Sequence, residues 1–96
     1  MNEKALHFLG LLNKGGSLIF GPALLHSHRL SVLIIAIDAS PTSQKELHSL
    51  ANKTKAKILA GVSQEELGSA LGYPKLSGIG VKDPKAGKAL IAKWGE

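Results

Sequence analysis

Two patterns of apolar residues alternate along the chain, one with helical spacing and one in short continuous runs. In residues 2–14 apolar side chains recur three and four positions apart, which predicts a helix ended by Gly15 and Gly16. The short runs predict strands at 18–20, 32–37, 57–60 and 78–81. Residues 32–37 (VLIIAI) are apolar throughout and mostly branched, so this strand is expected to be central and buried on both faces.

Helix start signals lie between the predicted strands. Gly21 followed by Pro22 is expected to open a short helix, because proline is preorganised for the first helical position. Further starts are expected at Ser40-Pro41, at the capping box of residues 63–66 (SQEE), and at Asp83-Pro84. Alternating helices and strands predict an α/β fold, a three-layer α/β/α sandwich with mostly parallel strands, and 96 residues predict a single domain.

Charge narrows the choice of partner. The 12 Lys and Arg residues against 7 Asp and Glu give a net charge of +5, and Arg29 is the one arginine. An excess of positive charge favours a polyanion such as RNA or DNA, although lysines that only solubilise the surface are an alternative. Lysine is a point charge without the bidentate fork of arginine, so phosphate contact is favoured over base recognition.

The composition also indicates the cellular compartment in which the protein is expected. The chain has no cysteine, which excludes disulfides and thiolate metal sites. No apolar run approaches the roughly 20 residues that cross a bilayer, and the first ten residues (MNEKALHFLG) show no signal-peptide pattern. We expect a cytoplasmic protein that does not enter a membrane.

Candidate catalytic and metal-binding groups are few. His26 and His28 are two apart in a predicted helix and point in nearly opposite directions, with no acidic residue near, so no metal site is expected. Asp38 follows the central strand, where a catalytic carboxylate is one interpretation and a bond to backbone N–H groups of its own turn is the favoured one. No G-x-S-x-G motif or phosphate-binding glycine motif occurs. We predict a non-catalytic protein without a cofactor.

Four stretches carry a family resemblance, in this order: KALHFLGLLNKGG, VLIIAIDAS, GVSQEELGSALG and GIGVKDPKAGKAL. Together they resemble the kink-turn RNA-binding ribosomal protein superfamily (the L-seven-Ae and L-thirty-e type), closest to its short bacterial YlxQ-type members. The resemblance covers about Lys4 to Lys93. It implies a three-layer sandwich with a four-stranded mixed sheet, whose last strand runs antiparallel to the others.

The family binds RNA through a G-x-N-E-x-x-K motif at a helix start and an apolar loop after the third strand. Carried over, the motif glycine is Gly21, while Ala23, Leu24 and Ser27 stand at the Asn, Glu and Lys positions. All three recognition groups are missing, and the stretch from Gly21 to the central strand is about one helical turn shorter than usual. The resemblance therefore implies a degenerate kink-turn motif.

The resemblance implies an RNA contact surface at one edge of the sheet, with helix N–H groups available to phosphate. Its expected residues are Lys14, Gly16, Gly21, Pro22, Ala23, Leu24, Ser27, Asp38, Ala39, Ser40, Leu59, Ala60, Gly61, Val62 and Ser63. The leading hypothesis is a non-catalytic, ribosome- or translation-associated protein that binds structured RNA. The alternative is a protein-interaction module that has lost RNA binding and uses an exposed apolar patch of Leu24, Leu25 and Val62.

Overall fold

A computed structural model describes residues 3–94 of the chain. The helices are α1 (Glu3–Lys14), a 3-10 helix (Gly21–His26), α2 (Pro41–Thr54), α3 (Gln64–Leu71) and α4 (Pro84–Trp94). The strands are β1 (Leu18–Phe20), β2 (Val32–Ile35), β3 (Lys57–Leu59) and β4 (Gly78–Val81). Asn2, which the predicted first helix includes, lies outside the described residues. No helix within residues 3–94 is long and apolar enough to cross a membrane.

The four strands form one mixed sheet in the order β1-β4-β2-β3. β2 and β3 are parallel, whereas β4 lies between β1 and β2 and is antiparallel to both. The antiparallel last strand implied by the family resemblance is confirmed. The strands β1 to β3 point the same way, but only one of the three hydrogen-bonded strand pairs is parallel. The prediction of mostly parallel strands, made from the alternation of helices and strands, is therefore wrong.

The connection before β4 explains its direction. β2, α2 and β3 form a crossover that returns the chain to the starting end of the sheet, which gives a parallel pair. After α3 the chain turns back instead, and the N–H of Leu76 donates to the carbonyl of Gln64 at the start of α3 (3.0 Å). β4 therefore starts at the end of the sheet where β2 and β3 finish. A strand that starts there must run antiparallel to them.

The predicted central strand is confirmed, with a shorter extent. β2 pairs on both sides, and all four of its residues are buried. Val32 and Ile34 contribute to one core cluster with Leu9, Leu67 and Leu90, while Leu33 and Ile35 contribute to a second with Leu24, Leu47 and Leu50. The predicted extension to residue 37 is wrong, because Ile37 is in a turn with 63% of its surface exposed.

Helices cover both faces of the sheet, as expected for three layers. α1, α3 and α4 contribute to the first cluster, and α2 with the 3-10 helix to the second. Ser40 accepts the N–H of Ser43 at the start of α2, and the Ser63–Glu66 capping box is formed. Asp83 accepts the N–H of Lys85 at the start of α4 (3.1 Å). The predicted helix starts are confirmed, except that the one at Gly21 is a 3-10 helix.

Candidate nucleic-acid interface

One end of the sheet gathers most of the residues that the family resemblance assigns to RNA. β1, β2 and β3 finish there and β4 begins there, so the connecting segments 21–25, 36–40, 60–64 and 73–77 lie side by side. We call these segments the loop end. It brings together the start of the 3-10 helix, the turn after β2 and the loop after β3, which are far apart in sequence.

Hydrogen bonds tie these segments to one another. The N–H of Ile37 donates to the carbonyl of Val62 (2.8 Å), and the N–H of Ala36 to that of Ser77 (2.9 Å). The Gln64 side chain donates from Nε2 to the carbonyl of Asp38 (3.0 Å) and accepts at Oε1 from Ser77 Oγ (3.1 Å). The segments of the loop end are therefore hydrogen-bonded to one another. Gln64, for which the sequence predicted no bridging role, joins segments 36–40, 60–64 and 73–77.

Asp38 has a structural partner. Its Oδ1 accepts the backbone N–H of Gln64 at 2.8 Å. The favoured interpretation of a backbone-bonding carboxylate holds, but its donor is the first residue of α3, 26 positions away, and not the turn that contains Asp38. A carboxylate here satisfies an N–H that has no partner within its own helix.

The residues that the family resemblance aligns with the RNA-binding motif lie in the 3-10 helix and at its C-terminal cap, Ser27. Gly21 has φ +76°, a left-handed conformation that favours glycine. Ala23 is exposed, whereas Leu24 has only 3% of its surface exposed and is part of the second core cluster. The Ser27 hydroxyl donates to the carbonyl of Ala23 (3.4 Å). The position of the family's Glu is therefore in the core, and no side chain of this helix offers an amide, carboxylate or ammonium group to RNA.

The loop after β3 is apolar, as the resemblance implies, but most of its apolar surface faces inward. Leu59 and Val62 are buried, while Ala60 and Gly61 are exposed. Ser63 Oγ accepts the N–H of Glu66 in the capping box (3.1 Å). The side chains of Leu59 and Val62 therefore fill the core and are not available for contact with RNA. Trp94, at the end of α4, donates a hydrogen bond from its Nε1 to the carbonyl of Ala60 in this loop (2.8 Å).

The apolar patch expected for a protein partner is not formed. Leu24 and Val62 are buried, and of the three only Leu25 is exposed, to 40%. Leu25 instead lines a cavity of about 260 Å³ at the loop end, together with Pro22, Leu24, Leu47, Leu76, Glu46 and Lys75. Residues 75–77 also line this cavity. The sequence predicted only that a helix ends at Gly72-Tyr73-Pro74, and gave no sign that the following segment contributes to the site.

Lys14 and Gly16 lie away from the loop end. They precede β1, and the carbonyl of the next residue, Ser17, accepts the N–H of Lys82, which follows β4 (3.1 Å). These residues are at the opposite end of the sheet, where β1 starts and β4 finishes. Their inclusion in one contact surface with Gly21 and Ala60 is therefore wrong.

Charge is unevenly divided between the two ends. The loop end and the turns of α2 and α3 beside it carry four carboxylates and two lysines, namely Asp38, Glu46, Glu65, Glu66, Lys45 and Lys75. The opposite end carries exposed cations at Lys14, Arg29, Lys55, Lys57, Lys82 and Lys85. We call these six residues the basic end. Arg29, Lys55 and Lys57 do not share a face with the loop after β3, because they precede β2 and β3 or lie where β3 starts.

His26 and His28 are both exposed, and only His26 belongs to the 3-10 helix. Within residues 3–94 no three His, Cys, Asp or Glu side chains are grouped so that they could hold a metal ion. The prediction that this pair binds no metal therefore stays a prediction, which a titration can test.

No protein-family model and no curated protein matches the sequence. Solved structures do match. A protein of unknown function from Bacillus halodurans has a TM-score of 0.84 at 24% identity, covering 99% of this chain and 100% of its own. The 15.5kD RNA binding protein of Giardia lamblia has a TM-score of 0.67 at 20% identity, covering 98% of this chain and 87% of its own. The chain therefore shares its fold, over nearly its whole length, with an RNA-binding protein.

Proposed function

We propose that the chain is a non-catalytic RNA-binding protein of the kink-turn superfamily, beside its short YlxQ-type members. It binds structured RNA in the cytoplasm, in association with ribosomes or the translation apparatus, and needs no cofactor. One observation carries the proposal: the fold of an RNA-binding protein combined with a cluster of exposed cations. The order of the four family-like sequence stretches supports it.

The chemistry of the surface favours binding driven by charge. Each lysine that contacts a phosphate releases condensed counterions, which gives affinity without dependence on base sequence. Discrimination between RNA shapes requires groups that hydrogen-bond to base edges. At the motif positions these groups are replaced by a methyl group at Ala23, a buried side chain at Leu24 and an internally bonded hydroxyl at Ser27. The chain should therefore bind RNA with little preference for a kink-turn.

Binding to a kink-turn RNA and to a plain duplex of equal length, measured across a salt series, tests this function. We expect both to bind at low salt, with log K falling by about 0.7–0.9 per phosphate contact for each decade of salt. A kink-turn preference above about a hundredfold, which is near the upper end of what one base-edge contact supplies, would show that recognition survives the loss of the motif. Absence of binding to either RNA at low salt would contradict the proposal and favour the protein-interaction alternative.

Association with ribosomes has a separate test. Sedimentation of a cell extract through a sucrose gradient should place the protein in ribosomal fractions at low salt and free it at high salt. Ribonuclease treatment should also release it. Recovery only in the light fractions at low salt would contradict the ribosomal part of the proposal and leave RNA binding itself to the titration.

A further inference from the structure

The basic end is defined by the backbone of the sheet. Leu18, Val81, Val32 and Lys57 lie in register across all four strands. Ser31 and Lys82 are the residues next to this row, just beyond the ends of β2 and β4. The N–H of Lys82 donates to the carbonyl of Ser17, and the N–H of Lys57 donates to the carbonyl of Ser31 (both 3.1 Å). Lys57 and Lys82 are thus held at fixed places on the outermost rows of the sheet.

The other four cations flank these rows. Arg29 is two residues before Ser31, and Lys55 is two residues before Lys57. Lys85 lies in the first turn of α4, two residues after Asp83, whose carbonyl accepts the hydroxyl of Ser31 (3.1 Å). Lys14 ends α1, three residues before Ser17. Since neighbouring strands are about 4.8 Å apart, the row from β1 to β3 spans about 14 Å.

These charges are not neutralised by the protein. None of the six forms an ion pair with a carboxylate of residues 3–94. Asp83 is the single carboxylate in the described segments of this end, and its Oδ1 accepts the N–H of Lys85. Clustered cations without counter-charges raise the local potential and attract a polyanion.

The chemistry of this end also limits the form of the polyanion. Proteins that bind single strands stack bases on aromatic side chains. Phe20, Tyr73 and Trp94 lie at the loop end and Phe8 within α1, so no aromatic residue of the described segments accompanies the six cations. Double-helical RNA is recognised mainly through phosphates and shape, which cations alone can contact.

We infer that RNA binds at the basic end, with the phosphate backbone of a double-helical segment lying across the starts of β1, β2 and β3. The inference rests on the proposed function and deepens it, because it assigns the contact to the end of the sheet opposite the degenerate motif. The loop end, with its four carboxylates, is the less favourable side for phosphate.

A pair of charge-matched variants tests the inference. The basic-end variant combines Lys57→Gln, Lys82→Gln and Lys85→Gln, and the control combines Lys4→Gln, Lys45→Gln and Lys75→Gln. All six lysines are exposed, and each variant loses the same charge. With a plain RNA duplex at low salt, we expect the basic-end variant to lose at least about tenfold in affinity and to show a smaller salt slope. The control should stay within about threefold of the wild type. Circular dichroism and thermal unfolding check that both are folded.

Each other outcome has a distinct meaning. Equal losses in the two variants would show that total charge matters and its position does not, and a larger loss in the control would place RNA away from the basic end. Either result overturns the inference and leaves the proposed function standing. If the wild type binds no RNA, the proposed function fails and the inference with it. Should the triple variant not fold, the single changes Lys57→Gln and Lys82→Gln provide the comparison.

Trp94 supplies an independent measurement on the unmodified protein. It is the one tryptophan of the chain, and its indole nitrogen bonds to Ala60 at the loop end. RNA bound at the basic end should leave its fluorescence unchanged at saturation. A quench or spectral shift that follows the binding curve would overturn the inference.

Discussion

Leu24 packs directly against Gly80. Its Cδ1 lies 2.7 Å from the place that a Cβ atom on Gly80 would occupy, so the leucine fills the space that the glycine leaves over the sheet. This contact joins the 3-10 helix to β4. The side chain at position 24 points into the core, where a charged group would lose its water.

Leu24→Glu should therefore destabilise the fold and should not restore RNA recognition. We expect the free energy of unfolding to fall by about 3 kcal/mol or more, from the lost packing and the buried carboxylate. The matched control Leu25→Glu, at the next position, which is 40% exposed, should change the free energy of unfolding by about 1 kcal/mol at most. Urea unfolding at neutral pH measures both. Similar effects at the two positions would contradict the assignment of Leu24 to the core.

Restoring the accessible motif positions should raise affinity without creating selectivity. In the variant Ala23→Asn, Ser27→Lys the new lysine adds phosphate contact, so binding to a plain duplex and to a kink-turn RNA should both strengthen. The ratio of the two affinities should stay within about tenfold, because an asparagine without the neighbouring carboxylate should supply only about 1 kcal/mol, the lower end of what a good bidentate contact is worth. A kink-turn preference that rises a hundredfold would show that the shortened helix still presents its side chains correctly.

Ser63→Ala separates a capping role from an RNA contact. Its hydroxyl accepts the N–H of Glu66, so its loss should lower the free energy of unfolding by about 1 kcal/mol. RNA affinity, measured well below the unfolding temperature, should be unchanged. A loss of affinity with unaltered stability would instead assign the hydroxyl to the RNA interface.

Gln64 should matter more to stability than Asp38. Gln64→Ala removes two side-chain hydrogen bonds that join α3 to the turn after β2 and to Ser77, at about 1 kcal/mol each. Asp38→Asn keeps an oxygen that can accept the Gln64 N–H, so its effect should be smaller. Chemical denaturation of the two variants provides the comparison. A larger effect at Asp38 would indicate a function for its negative charge.

Zinc titration by calorimetry tests the histidine pair. We expect no sub-micromolar site, because His26 and His28 are exposed and no third ligand of residues 3–94 is grouped with them. Tight binding that is lost in His26→Ala would contradict this prediction.

Local physics made much of the fold predictable from sequence. The continuous apolar run of β2, the proline helix starts and the Ser63 capping box are each recognisable because their stabilising groups are neighbours in the chain. The excess of lysine is equally visible, since it depends on composition alone, whereas the missing motif groups are visible only through the family resemblance. The antiparallel β4 was predicted only through the family resemblance.

Tertiary structure decided where each of those residues points and which of them meet. The burial of Leu24 depends on Gly80, and the hydrogen-bond donor to Asp38 is the N–H of Gln64 in α3. Both contacts join segments that are far apart in the chain, so no local sequence pattern predicts them. The return of the chain after α3 sets the direction of β4, and strand direction in turn sends Lys14, Lys57 and Lys82 to one end and Gly21, Asp38 and Ala60 to the other. Sequence alone therefore determined that the protein is basic, whereas only the path of the chain through the sheet determined which end carries the charge.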